Sequence, residues 1–144
     1  MKIRIFSLSV GTVLLSSISC ISQVQTVEIS QASTSNSLTY QIPAKVGQKT
    51  IMLKEVTSDS RCPEGDQCIW SGEVTVEVQI KSSEKPETKV LTFGTEAINP
   101  NQPEVLLTTS DSIYEAIDIY PYPKSGETLK PSVYKIILNA KKRL

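Results

Sequence analysis

Apolar and polar residues alternate most cleanly between Glu73 and Ile80. Val74, Val76, Val78 and Ile80 fall on one side, and Glu73, Thr75, Glu77 and Gln79 on the other. Such alternation is the pattern of a strand with one buried and one wet face. Shorter β-type runs lie at 50–56, where Ile51 and Leu53 share a side, and at 89–93, 104–108, 113–120 and 133–140. In 113–120, Ile113, Ile117 and Ile119 are expected to face inward against Asp118 and Tyr120; in 133–140, Tyr134, Ile136 and Leu138 are. Leu38–Ile42 can add an edge strand. Turn-forming clusters separate these runs, among them Pro63-Glu64-Gly65-Asp66, Asn99-Pro100-Asn101 and Pro121-Tyr122-Pro123. No helical period follows the N-terminal segment. About seven short strands over 38–144 predict an all-β domain, an antiparallel β-sandwich of immunoglobulin-like broad architecture, with a small barrel as the alternative.

The N-terminus follows other rules. Lys2 and Arg4 precede a mostly apolar stretch, Ile5 to Leu15, which ends in Ser16-Ser17-Ile18-Ser19-Cys20. A basic start, a short apolar run and small residues before a cleavage point are the marks of a signal peptide, here 1–19. The run falls short of the roughly 20 apolar residues of a spanning helix. The bland alternative is a buried N-terminal element. Ser17-Ile18-Ser19-Cys20 resembles the bacterial lipobox, in which the cysteine is lipidated, although Ser17 stands where Leu is usual. The same serines suit ordinary signal peptidase, which would release a soluble periplasmic or secreted protein. The stretch 20–37 is rich in Ser, Gln and Thr and reads as a flexible tether to the domain 38–144.

Composition narrows the chemistry. The chain has no histidine, which removes Ser-His-Asp and Cys-His catalysis and His-ligated zinc. Fifteen cations balance fifteen acids, without the basic excess of a nucleic-acid binder. Loss of Lys2 and Arg4 with the signal leaves thirteen against fifteen, a net charge of −2. Attachment to a membrane would therefore rest on acyl chains at Cys20. Of the three cysteines, lipidation would account for Cys20 and leave Cys62 and Cys68 to pair in an oxidising compartment. A ring that small contributes roughly 2 kcal/mol by loop closure, so its main effect is to clamp a turn.

The densest stretch is Asp59-Ser60-Arg61-Cys62-Pro63-Glu64-Gly65-Asp66-Gln67-Cys68-Ile69-Trp70-Ser71-Gly72-Glu73. Asp59 suits an Asx turn. Arg61, with five donors, can clamp Asp59, Glu73 or loop carbonyls. Gly72 points to a close backbone approach or a bulge, and Trp70 to a core anchor beside the cysteine pair. Leu129-Lys130-Pro131-Ser132-Val133-Tyr134 resembles a tyrosine corner, against the plainer reading of Tyr134 as an ordinary inward aromatic. The 59–73 stretch resembles the signature of a family of bacterial exported proteins, mostly lipoproteins, that read D-S-R-C-P, a short loop, C-x-W-x-G-E and then an alternating strand. The resemblance extends to Tyr120-Pro121-Tyr122-Pro123 and Pro131-Ser132-Val133-Tyr134, over about residues 45–140. It implies an exported β domain with a disulfide loop, and no particular activity.

Functional readings of the same residues follow. Asp59, Glu64, Asp66 and Glu73 offer oxygen ligands for calcium, but their spacing fits no EF-hand and Arg61 would repel a cation. Five residues separate the cysteines, unlike a Cys-x-x-Cys redox pair. No pattern calls for a cofactor or a resident metal. Tyr114, Tyr120 and Tyr122 can form an aromatic strip for sugar or peptide contact, or simply cap a strand. The expectation is a lipid-anchored envelope protein without enzymatic activity, with an envelope protein or glycan as partner. The alternatives are a small carboxylate-based hydrolase and an inhibitor that inserts its disulfide loop into a partner.

Overall fold

The computed structural model describes residues 27–28 and 37–143. The signal segment 1–19, Cys20 and most of the 20–37 stretch lie outside the described residues. The described chain is all β apart from one 3-10 turn at Pro131–Val133. The strands are β1 (Val27–Glu28), β2 (Ser37–Thr39), β3 (Ala44–Val46), β4 (Lys49–Asp59), β5 (Glu73–Lys81), β6 (Glu87–Gly94), β7 (Glu104–Thr108), β8 (Ser112–Tyr120) and β9 (Lys135–Lys142). No helix among the described residues is long and apolar enough to cross a membrane.

Two sheets pack face to face. One has the order β1-β3-β4-β5-β6, the other β2-β9-β8-β7. All pairings are antiparallel except the short β1–β3 contact. Strands β3 to β6 and β7 to β9 run as meanders, while β9, the last strand, pairs with β2, the first of its sheet, a non-sequential neighbour of Greek-key type. Through described residues the chain crosses between sheets at β2–β3 and at β6–β7. The first crossing is fixed by Tyr40 N–H donating to Tyr134 O at 3.1 Å and Gln41 N–H to Leu53 O at 2.8 Å.

Strand β5 buries Val74, Val76, Val78 and Ile80 and keeps Glu73, Thr75, Glu77 and Gln79 at least partly wet, as its alternation predicts. Opposite it, the second sheet contributes Tyr114, Ala116, Ile119, Ile136 and Leu138 to the same core. The inward face of β8 differs from the expected one. Its register against β9 shifts between Ala116 and Asp118, leaving Ile117 as the extra residue of a bulge. The bulge reverses the alternation. Tyr114 and Ala116 therefore point inward before it and Ile119 after it, while Ile113 and Ile117 are only half-buried. Strand β3 pairs with the start of β4 and buries Ala44 and Val46. It is too short to show a period.

Both sheets end at two common poles. At one, the β4–β5 connection, residues 60–72, lies against the β8–β9 connection, residues 121–134. Glu64 N–H donates to Pro123 O at 2.8 Å there. At the other pole the β3–β4 turn meets the β7–β8 turn, where a side chain on Gly47 would touch Thr109 at 3.7 Å.

Candidate functional site: a buried arginine clamp beneath an exposed loop

Strand β4 ends at Asp59, and the chain turns because the Asp59 carboxylate accepts the Arg61 backbone N–H at 3.1 Å, an Asx-type turn. This brings the Arg61 side chain back along the end of the sandwich. Its Nε donates to Asp59 Oδ1 at 2.9 Å and its Nη2 to Asp59 Oδ2 at 2.7 Å. The same fork reaches the other sheet. Nη1 donates to Ile119 O at 2.9 Å and Nη2 to Pro121 O at 2.8 Å. The side chain retains 3% of its accessible surface and that of Asp59 13%, so the pair is enclosed.

Aromatic rings complete the clamp. Tyr134 O–H donates to Asp59 Oδ2 at 2.7 Å. Tyr122 lies with its ring centroid 4.6 Å from the guanidinium carbon and Tyr134 at 5.9 Å, within cation–π range. Burial pushes the Asp59 carboxyl up, but hydrogen bonds from Arg61 and Tyr134 outweigh it and hold its pKa below the ordinary value. Burial and the hydrogen bond to Asp59 push the Tyr134 hydroxyl up to about 12. Tyr134 thus bonds a carboxylate rather than backbone, which departs from a tyrosine corner while keeping an inward ring. Of the partners expected for Arg61, Asp59 and loop carbonyls are found. Glu73 instead uses its backbone, where its C=O accepts from Ser60 N–H at 2.8 Å and from Ser60 Oγ at 3.0 Å.

Gly72 is where the loop rejoins the sheet. Its φ is +68°, and a Cβ there would lie 2.0 Å from Ser60 O and 2.9 Å from Arg61 Cα. Only glycine admits this approach. Between the two passes, Cys62 and Cys68 are joined in a disulfide with Cα atoms 5.9 Å apart.

The residues after Cys68 overturn the expectation for Trp70. It is no core anchor: it is 66% exposed, and Ile69 beside it is fully exposed. Cys62 N–H is bonded to Ser71 O at 2.8 Å, so the two passes of the loop run together and residues 69 and 70 project outside the sandwich. Phe93, 2% exposed, is among the largest side chains enclosed in the core. Tyr114 is also corrected. At 5% exposure it belongs to the core and to no surface strip. Tyr120 and Tyr122 remain partly exposed and meet edge to face at 5.7 Å. The Asp118 carboxylate accepts Ile119 N–H at 2.7 Å, and its charge holds the Tyr120 hydroxyl above its usual range.

A cleft adjoins this pole. It runs from Trp70 past Ser71 and Gly72 to Tyr122 and is walled opposite by the β6–β7 loop, residues 95–103. That loop is braced by Asn99, whose Nδ2 donates to Ala97 O at 2.8 Å and whose Oδ1 accepts Asn101 N–H at 3.0 Å. The four motif carboxylates do not converge, and among the described residues no group of three or more acids or cysteines is placed to hold a metal ion. The cleft residues Asn101 and Asp118 lie in runs with no distinctive spacing. The Pro-Asn-rich loop itself was the one sequence signal for Asn101, and Asp118 stood out only as a polar position in a β-type run.

No protein family, curated protein or solved structure matches this chain.

Proposed function

We propose that the chain is an exported cell-envelope protein, lipid-anchored through Cys20, whose sandwich carries a non-enzymatic binding surface at the pole of the Cys62–Cys68 loop. The observation that carries this reading is the exposure of Ile69 and Trp70 on a loop held at its base by a disulfide and a buried ion pair. Two large apolar side chains in water on a braced segment favour association, because little ordering entropy is lost when such a loop is covered. Export is supported by the N-terminal pattern and by a disulfide, which persists in oxidising compartments. The likeness to exported lipoproteins with a C-x-W-x-G-E loop points the same way. The hydrolase reading draws no such support. Asp59, the enclosed carboxylate of the motif, accepts on both oxygens from Arg61 and Tyr134 and is not offered to a substrate. The exposed Ile69 and Trp70 do favour a second reading, in which the loop inserts into a partner's cleft as an inhibitor.

A photo-crosslinking amino acid at position 69, compared with one at position 85 on the far pole, tests the binding pole in cells. Macromolecular adducts from position 69 alone are expected; none from 69, or equal yields from both, refutes the assignment. Membrane flotation tests the anchor. The chain should float and Cys20→Ala should not. A wild-type chain that stays soluble, with a mass lacking lipid, leaves export and removes the anchor.

A further inference from the structure

The cleft at the motif pole has two lobes. The inner lobe, about 310 Å³, is lined by Gly72, Asp118, Tyr122 and the 99–101 loop segment. The outer lobe, about 480 Å³, is lined by Trp70, Glu73 and Glu96. Both include Ser71, Gly72, Gly94 and Thr95, and the hydroxyls of Ser71 and Thr95 are hydrogen-bonded to each other on this shared saddle. Each lobe is on the scale of small-molecule sites, roughly 300–1,000 Å³. We propose that the cleft holds an uncharged oligosaccharide. Trp70 and Tyr122 are its stacking platforms, and Asp118, Asn101, Ser71 and Thr95 are the partners of its hydroxyls. This inference rests on the binding-pole reading above and names the ligand class.

Charge excludes one group of ligands. The one cation in the lining is Arg61, which is enclosed and neutralised by Asp59. Asp118, Glu73 and Glu96 take part in no ion pair among the described residues. Phosphates, nucleic acids and acidic glycans would meet uncompensated negative charge. An uncharged sugar meets carboxylates that accept from its hydroxyls and an amide that both donates and accepts.

Geometry separates a glycan from a peptide. A peptide bound in a groove usually takes main-chain hydrogen bonds from a free strand edge. Here the backbone of the β6–β7 wall is largely paired within its own loop. Gly94 N–H donates to Ile98 O and Ala97 N–H to Gly94 O, while Asn99 and Gln102 exchange both of their bonds. Recognition is left to side-chain hydroxyls, an amide, carboxylates and two aromatic faces. An aromatic face exposed to water gains by covering the C–H face of a sugar ring, as it does in other apolar contacts.

The chain contains one tryptophan, so its emission reports Trp70 directly. The full chain is titrated with cellohexaose, maltohexaose and chitohexaose, with hexagalacturonate and hexalysine as charged controls. A saturable blue shift and protection from acrylamide with at least one uncharged hexasaccharide, and none with hexagalacturonate, are expected. Asn101→Ala, at an exposed position, should keep the fold and weaken that binding about fivefold, the loss of one hydrogen bond. Silence towards all three uncharged sugars overturns the proposal, as does a response to hexalysine alone, which would make the occupant a basic peptide. Crosslinks from position 69 together with silent sugar titrations remove only the glycan; silence in both assays removes the binding pole as well.

Discussion

Replacing Arg61 with Met should cost about 3–4 kcal/mol of stability near pH 7, the scale of breaking one partner of an enclosed ion pair. The side chain makes four hydrogen bonds, two to Asp59 and one each to Ile119 O and Pro121 O. Met fills much of the same volume but donates nothing, so Asp59 keeps only the Arg61 backbone N–H and Tyr134 O–H. Charge-assisted bonds contribute about 1.5–3 kcal/mol each. The full sum is not expected, because Asp59 keeps 13% exposure through which water can enter. Arg61→Lys keeps the charge without the planar fork and should lose about 1–3 kcal/mol.

The effect depends on pH in a stated direction. The pKa of Asp59 in the fold lies below its ordinary 3.8. Its contribution is therefore complete above pH 3.8 and is lost as pH falls through the lower folded value. Without the guanidinium, burial is less opposed and the folded pKa rises. The wild-type advantage should be widest near neutrality and narrow in acid. Urea unfolding followed by far-UV circular dichroism at pH 7 and pH 3 measures this. A difference below about 1 kcal/mol at pH 7, or one equal at both pH values, would refute the clamp as the source of stability.

Gly72→Ala places a methyl group against Ser60 and Arg61 backbone in a left-handed conformation, and should lower Tm more than Gly65→Ala, which meets nothing within 4 Å; equal thermal melts would count against the close approach. Trp70→Ala should change stability by less than about 0.5 kcal/mol, whereas Phe93→Ala should cost about 3–5 kcal/mol, and chemical denaturation separates the two. Tyr134→Phe should remove a loss of stability in alkali. The folded pKa of about 12 lies above the ordinary 10, so the wild-type contribution is present below pH 10 and fades as pH rises through 12. A wild-type curve flat over that window would contradict this.

The strands were legible wherever alternation ran unbroken. Strand β5 could be read residue by residue because none of its pairings is irregular on the β6 side. Strand β8 misled at Ile113 and Ile117, because a bulge inverts faces without leaving a mark in composition. Trp70 misled for a related reason. Hydrophobicity predicts burial only on average, and a residue two positions from a loop-closing cysteine has no strand to set its direction. The motif announced Asp59 and Arg61 through their close spacing and the need of the turn. Their remaining partners, the carbonyls of Ile119 and Pro121 and the hydroxyl of Tyr134, lie 58 to 75 residues downstream. No local pattern encodes a contact at that range. Cleft residues such as Asn101 were hidden in the same way, since the wall they form exists only once β6 and β7 have docked.

The same span fixes when the clamp can assemble. Arg61 finds its carbonyl acceptors only after β8 is in place and its carboxylate is secured by Tyr134 at the head of β9, so the span from 59 to 134 must be ordered first. Contacts that close such long loops tend to form late in folding. Substituting Arg61 should therefore leave the folding limb of a chevron almost unmoved and steepen escape from the native state, a φ-value near zero. Under the proposed export, where survival depends on how seldom the fold opens to proteases, the clamp acts as a latch on lifetime as much as a contribution to equilibrium stability.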